Sequence, residues 1–215
     1  MYHHSRIPTI LSGSGGSLFP PELQACEYLE SSGNEYILLP YLCNDITDLS
    51  VEITAIDTND NNLIGARIGT NFFCLITYNG KFYLRYFTPS TNSSVTGVNY
   101  NEKLLLIYNY INNNYTCNGI EYQNTREIYR NLNIQIALFA INYNGLIEKS
   151  SNKLKLFKTN LFELHACYIK SGQTYIDNKS ITCQAGTPGM YDIVNGIFYT
   201  NDGTGNFTCG PDIII

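Results

Sequence analysis

Phe72-Phe73-Cys74-Leu75-Ile76-Thr77-Tyr78-Asn79-Gly80-Lys81-Phe82-Tyr83-Leu84-Arg85-Tyr86-Phe87 is the stretch that decides the fold class. Two runs rich in β-branched and aromatic residues flank Asn79-Gly80. An Asn-Gly pair in that setting is the strongest short-range hairpin signal, because a type I′ turn needs positive φ at both central positions. In the second run Phe82, Leu84 and Tyr86 alternate with Lys81, Tyr83 and Arg85, the two-residue period of a strand with one face in a core. The same rhythm recurs outward from this hairpin, in Val51-Glu52-Ile53-Thr54-Ala55 and in Leu154 and Leu156 set between Lys153 and Lys155. Ile134 to Ile141 (IQIALFAI) is nearly apolar on both faces, which predicts one strand buried in the middle of a sandwich. Asn118-Gly119, Asn144-Gly145 and Asn195-Gly196 repeat the turn signal. No stretch holds a helical stripe over three turns. About ten to twelve strands with turns every 8–12 residues predict an all-β fold. The length of the domain favours a two-sheet antiparallel jelly-roll sandwich.

Composition narrows the function classes. The chain has 215 residues, 44% hydrophobic and 14% charged, where about 25% charged is usual. That excludes a highly charged disordered tail and a coiled coil. The net charge of -5 argues against a nucleic-acid partner, which needs clustered Lys and Arg. No apolar run reaches the roughly 18 residues of a membrane span, so no membrane partner is expected. The opening Met1-Tyr2-His3-His4-Ser5-Arg6-Ile7-Pro8 lacks the apolar stretch of a secretory signal, and synthesis in a cytoplasm is the expectation. Cys26, Cys43, Cys74, Cys117, Cys167, Cys183 and Cys209 form an odd set without a C-x-x-C pair. Scattered spacing of this kind does not suit zinc, so they read as reduced, mostly buried thiols with no disulfide.

One boundary stands out. Residues 1–21 include Ser12-Gly13-Ser14-Gly15-Gly16-Ser17 and end in Pro20-Pro21, the composition of a flexible hinge. They are expected to form an N-terminal extended arm, with residues 22–215 as the domain. Such an arm cannot bury enough of its own surface to offset about 1–2 kcal/mol of backbone entropy per residue. Tyr2, Ile7, Ile10, Leu11, Leu18 and Phe19 are the groups able to dock, and the expectation is that they contact another subunit; the alternative is an arm folded back on its own domain.

Two longer stretches carry a resemblance. One is Cys26-Glu27-Tyr28-Leu29-Glu30-Ser31-Ser32-Gly33-Asn34-Glu35-Tyr36-Ile37. The other is Gly189-Met190-Tyr191-Asp192-Ile193-Val194-Asn195-Gly196-Ile197-Phe198-Tyr199-Thr200-Asn201-Asp202-Gly203-Thr204-Gly205-Asn206-Phe207. Together they resemble a family of concanavalin-like (laminin-G-like) jelly-roll domains found in virion proteins of tailed phages, crAss-like gut phages among them, and in surface proteins of gut bacteria. Cys26 departs from that family's usual Leu, and Leu38-Leu39-Pro40 from its usual polar run. The resemblance implies a jelly roll whose first and last strands are neighbours. It assigns Glu27, Tyr28, Gly33, Tyr36, Tyr191, Asp192, Asn195, Gly196, Phe198, Tyr199, Gly203 and Gly205 to the structural motif.

Catalytic patterns are scarce. The closely spaced Glu-x-Asp-x-x-Glu of glycosidases in this fold class, which flanks one sugar bond with acid and nucleophile, has no counterpart. Glu52 and Asp57 are five residues apart and fall on opposite faces of a strand. His165 and Cys167 share a strand face as a Cys–His pair would, but no Asn or Asp is placed to orient them. His3-His4 is a weak metal pair. Asp57-Thr58-Asn59-Asp60-Asn61-Asn62 lacks the Gly and the terminal Glu of a calcium loop. The expectation is a protein without catalytic residues, metal or cofactor. Its leading role is a structural virion component (head-fibre, decoration, collar or tail-fibre module) anchored through the arm to other virion proteins or to copies of itself. The alternative is a carbohydrate-binding adhesin module that recognises a host surface glycan.

Overall fold

The computed structural model describes residues 5–6, 19–20, 22–46, 48–56, 61–89, 93–99, 101–109, 111–123, 132–150, 153–159, 164–169, 174–177, 179–182 and 186–214. The first strands are β1 (Ser5–Arg6), β2 (Leu23–Ala25), β3 (Leu29–Ser31) and β4 (Ile37–Leu42), followed by a 3₁₀ turn at Cys43–Asp45. Next come β5 (Asp48–Ala55), β6 (Asn61–Ile68), β7 (Asn71–Tyr78), β8 (Lys81–Pro89) and β9 (Ser93–Asn99). The middle holds β10 (Leu104–Asn109), β11 (Asn114–Cys117), β12 (Ile120–Gln123), β13 (Gln135–Leu138), β14 (Ala140–Tyr143) and β15 (Leu146–Lys149). The last are β16 (Leu154–Thr159), β17 (Leu164–Ile169), β18 (Thr174–Asp177), β19 (Lys179–Thr182), β20 (Pro188–Asp192), β21 (Ile197–Thr200) and β22 (Thr208–Cys209).

Two sheets form an all-β sandwich. One runs β1-β21-β20-β17-β16-β5-β10-β11-β12, with β2 on β17 and the β3–β22 pair on β16. The other runs β15-β14-β6-β7-β8-β9, with β13 bridging β4 to β6. Among the described residues β18 and β19 pair only with each other. All described pairings are antiparallel except β14 on β6.

Alternation decides which face is buried. Along β5 the burial follows the apolar positions Leu49, Val51, Ile53 and Ala55, and leaves Ser50, Glu52 and Thr54 half-buried. Leu104, Leu106 and Tyr108 of β10 and Leu154 and Leu156 of β16 extend that inner face. It meets Ile64, Ala66, Phe73, Leu75, Phe82 and Leu84 of the second sheet in one core cluster. Removal of this apolar surface from water, worth about 25 cal/mol per Å², holds the two sheets together.

Three of the four Asn-Gly pairs make two-residue hairpins. Asn79 and Gly80 have φ of 47° and 77°, Asn118 and Gly119 48° and 83°, and Asn144 and Gly145 51° and 88°. Asn195-Gly196 differs: β20 and β21 pair at Asp192↔Ile197, so four residues form the connection.

The expectation of one central strand over Ile134 to Ile141 is corrected. The run breaks at Phe139, where φ is +61°. Leu138 and Ala140 both align with Ile64, the first antiparallel and the second parallel. Left-handed backbone costs a non-glycine residue about 1–2 kcal/mol. The Phe139 ring is fully buried and packs on Phe207 at 4.7 Å between centroids, and burial of such a ring, worth roughly 1.5–3 kcal/mol, offsets that cost.

Candidate functional site

The opening and closing motifs meet in space. Cys209 aligns with Leu29 and Thr208 with Glu30, and the pairing continues irregularly from Gly210 N to Tyr28 O (2.8 Å) and from Glu27 N to Pro211 O (2.8 Å). The loops beyond these strands are stitched by side chains as well as backbone. Asn201 Oδ1 accepts from the backbone N–H of Tyr36 (3.1 Å) and of Gly203 (2.8 Å), while its Nδ2 donates to Gly205 O (2.9 Å). Asp202 N donates to Tyr36 O (2.8 Å), and Asp202 Oδ2 accepts from Leu38 N (2.8 Å).

Glu35 forms the floor of this clasp. Its carboxylate is buried and accepts from Ser32 N (2.7 Å), Ser32 Oγ (3.0 Å) and Asn34 N (3.3 Å). A buried carboxylate is tolerated only when its lone pairs are met in this way. Gly205 lies directly against it: a Cβ there, at φ +89°, would sit 2.3 Å from Glu35 Oε1. At Gly203 a Cβ would meet Asn34 O at 2.3 Å.

A second hub sits at the β20–β21 connection. Asp192 is fully buried. Its Oδ1 accepts from Val194 N (3.0 Å) and Asn195 N (3.1 Å), and its Oδ2 from Tyr41 Oη (2.8 Å) and Asn195 Nδ2 (2.8 Å). Tyr41 and Tyr199 share a hydroxyl contact at 3.2 Å. This hub reaches from the last hairpin to β4 of the other sheet, so it ties the layers together at one end. It also explains the longer turn: Asp192 occupies the donors that a two-residue hairpin would leave to solvent. Burial, and then the hydrogen bonds to Tyr199 and Asp192, push the Tyr41 phenol far above the ordinary tyrosine range. Tyr199 is raised as well, chiefly by burial. At neutral pH both phenols hold their protons, so the group acts as a fixed hydrogen-bond network.

The sequence-derived motif residues divide between these places. Tyr36, Gly203 and Gly205 lie in the clasp, and Gly33 (φ +102°) turns the loop that carries it. Tyr28 stacks edge-on against Phe157 at 5.4 Å, and Lys155 Nζ donates to its hydroxyl at 3.1 Å. Asp192, Asn195 and Tyr199 form the second hub, with Gly196 N donating to Asp192 O (2.8 Å). Tyr191 and Phe198 cover the opposite face of that hairpin together with Leu23 and Phe19. Glu27 is exposed and contributes its backbone N–H. Glu35, Tyr41, Asn201 and Asp202 were not singled out by the sequence reading. The spacing Ser32-x-x-Glu35, which lets a carboxylate reach back to a backbone N–H three residues earlier, was the available signal for the first.

Phe19, one of the arm residues able to dock, is buried within its own chain, 5.5 Å from the Tyr191 ring, as the folded-back alternative has it. The hairpin presents an apolar patch next to Pro20, and an intrachain contact there needs no second molecule to be immobilised. β1 also pairs with β21, Ser5 opposite Phe198 and Arg6 opposite Ile197. Tyr2, Ile7, Ile10, Leu11 and Leu18 lie outside the described residues.

The remaining sequence candidates do not assemble. Glu52 pairs with Lys103 (2.8 Å) and Lys158 (3.8 Å) on a sheet surface. His3, His4 and Asp57 to Asp60 lie outside the described residues, and of His165 and Cys167 only the backbone, in β17, is described. Cys26, Cys43, Cys74, Cys117 and Cys209 form no disulfide. Burial pushes Cys74 and Cys117 up to about 12. A hydrogen bond from the neighbouring Cys26 thiol holds Cys209 below the usual thiol range. Among the described residues no group of three or more His, Cys, Asp or Glu could hold a metal ion, and no helix is long and apolar enough to cross a membrane. Compared with the models of known families and with curated proteins, the chain matches none.

Proposed function

We propose that the protein is a non-enzymatic structural component of a tailed gut phage virion, a head-fibre, decoration, collar or tail-fibre module. It would be made in the bacterial host cytoplasm and anchored to other virion proteins or to its own copies through residues upstream of Phe19. The observation that carries this reading is the clasp. The two longest motifs, which supply the resemblance to virion jelly rolls, spend their polar side chains on the protein's own loops: Asn201 and Asp202 bond across to Tyr36 and Leu38, Glu35 to Ser32 and Asn34 of its own loop, and Asp192 to Tyr41. Motifs built for rigidity suit a particle component that must keep its shape outside the cell.

Quantitative mass spectrometry of purified particles tests the proposal. A copy number that stays fixed between preparations and survives stringent washing is the expected result. Absence from particles, with the chain left in the soluble lysate, would overturn it. Deletion of residues 1–18 separates anchoring from folding: the truncated domain should keep its melting temperature within a few degrees and fail to incorporate.

A further inference from the structure

Two cysteines meet where the opening and closing motifs join. The β3–β22 pairing runs on past both strands: Cys209 lies opposite Leu29, and Cys26 bridges to Asp212. Between them Gly210 N donates to Tyr28 O and Glu27 N to Pro211 O, so backbone bonds hold both cysteines in one frame. Gly210 permits the close approach, since a Cβ there would sit 2.8 Å from the Tyr28 ring. Cys26 is buried in the sandwich core, and Cys209 packs against the same core from its rim. The chain bends at Glu27. The two thiols come within hydrogen-bond reach of each other, Cys26 donating to Cys209.

Reactivity separates this pair from the other described thiols. A cysteine is oxidised as its thiolate, and only where the oxidant reaches it. Cys43, Cys74 and Cys117 are at most 1% exposed, and burial pushes all three thiols up. Cys43 and Cys74 are near enough to influence each other, yet both are closed to an oxidant. Cys209 is half-buried. The hydrogen bond from Cys26 favours its thiolate, against the opposing effects of burial and of the Asp212 carboxylate. An accessible sulfur with a second thiol directly behind it is the arrangement of a peroxide-reactive cysteine and its resolving partner. β22 is two residues long and, among the described strands, pairs with β3 alone. Cys209 is therefore the member able to move and to close the gap to an S–S bond of about 2.05 Å.

We propose that Cys26 and Cys209 are a cross-link site, forming a reversible intrachain disulfide when the protein meets a hydroperoxide. The Cys209 sulfur attacks one peroxide oxygen and the O–O bond breaks. Cys209 becomes a sulfenic acid, and the other oxygen takes the thiol proton to leave as an alcohol, or as water from hydrogen peroxide. The Cys26 sulfur then attacks the sulfenic sulfur, the S–O bond breaks, and the hydroxide departs with the Cys26 proton as water. Each sulfur loses one electron, and the peroxide gains two. The new bond converts the junction of the two motifs from hydrogen-bonded to covalent. It closes a loop that spans almost the whole domain, which restricts the unfolded chain strongly. Reducing conditions such as those of a cytoplasm keep the pair as thiols. The inference is independent of particle assembly, and its test uses the isolated full chain.

Equimolar hydrogen peroxide added to the reduced protein, followed by intact mass measurement and non-reducing peptide mapping, decides the matter. The expected results are a loss of two hydrogens, a peptide joining Cys26 to Cys209, and a melting temperature raised by roughly 5 °C or more. Dithiothreitol should reverse all three. C209A should abolish the cross-link and melt within a few degrees of the reduced wild type. C26A should leave a Cys209 sulfenic acid that dimedone traps, and if C26A fails to fold, C209A stands as the readout. Absence of the joined peptide, a link from either cysteine to a different one or to a second chain, an unchanged or lowered melting temperature, or the same loss of two hydrogens in C209A would each overturn the proposal.

Discussion

Two glycines and two carboxylates do most of the work at the residue scale. Gly205 combines a left-handed φ with contact on Glu35, so Gly205→Ala adds about 1–2 kcal/mol of backbone strain to displacement of a buried carboxylate. Gly80, at φ +77° with open space around it, would bear the strain alone. Urea denaturation should therefore rank Gly205→Ala well below Gly80→Ala in stability. Equal losses would show that the Glu35 contact is unimportant. Asp192→Ala removes the acceptor for four donors, two of them backbone amides, and should cost about 3 kcal/mol or more at 1.5–3 kcal/mol per bond to a charged group, since the losses overlap.

The thiols give a pH signature. The folded pKa values of Cys74 and Cys117 are raised to about 12 from 9.0, so the native state holds protons that the unfolded chain releases. Their contribution is fully present below pH 9 and is lost as pH rises towards 12. Each should lower stability by about 1.4 kcal/mol per pH unit in that window. Denaturant midpoints measured from pH 8 to 11 should fall, and less steeply in Cys117→Ala. At pH 8 a small maleimide should label Cys209 before Cys43, Cys74 or Cys117.

At the scale of elements, most of the architecture was legible. Hairpins at Asn79-Gly80, Asn118-Gly119 and Asn144-Gly145 follow from local chemistry alone, as does the inward face of β5. Two elements were misread for reasons that lie outside their own residues. The run from Ile134 to Ile141 is broken by Phe139, whose left-handed backbone is stabilised by burial against Phe207, some seventy residues away in sequence. Asn195-Gly196 forms a longer turn because Asp192 captures its amides and Tyr41, on another sheet, completes the hub. Long-range partners overrode the local signal in both. The same explains why Glu35 and Asn201 escaped notice: each looks like a surface polar residue until the opposite motif is brought beside it. Phe139→Ala should accordingly destabilise the fold by about 3–5 kcal/mol. A loss under 1 kcal/mol would mean that the break does not depend on this ring.

For the whole molecule, the account rests on the two motifs being one mechanical unit that shuts the sandwich rather than two loops waiting for a ligand. Loops that serve binding open locally at low free energy, whereas structural ties open only with the global fold. Native-state hydrogen exchange at the amides of Tyr36, Leu38, Asp202 and Gly203 reads this directly, because all four donate across or within the clasp. The predicted result is protection close to that of the core strand amides of β5, with an opening free energy near that of global unfolding and the same denaturant dependence. Exchange of these amides orders of magnitude faster than the core, and insensitive to denaturant, would contradict the claim.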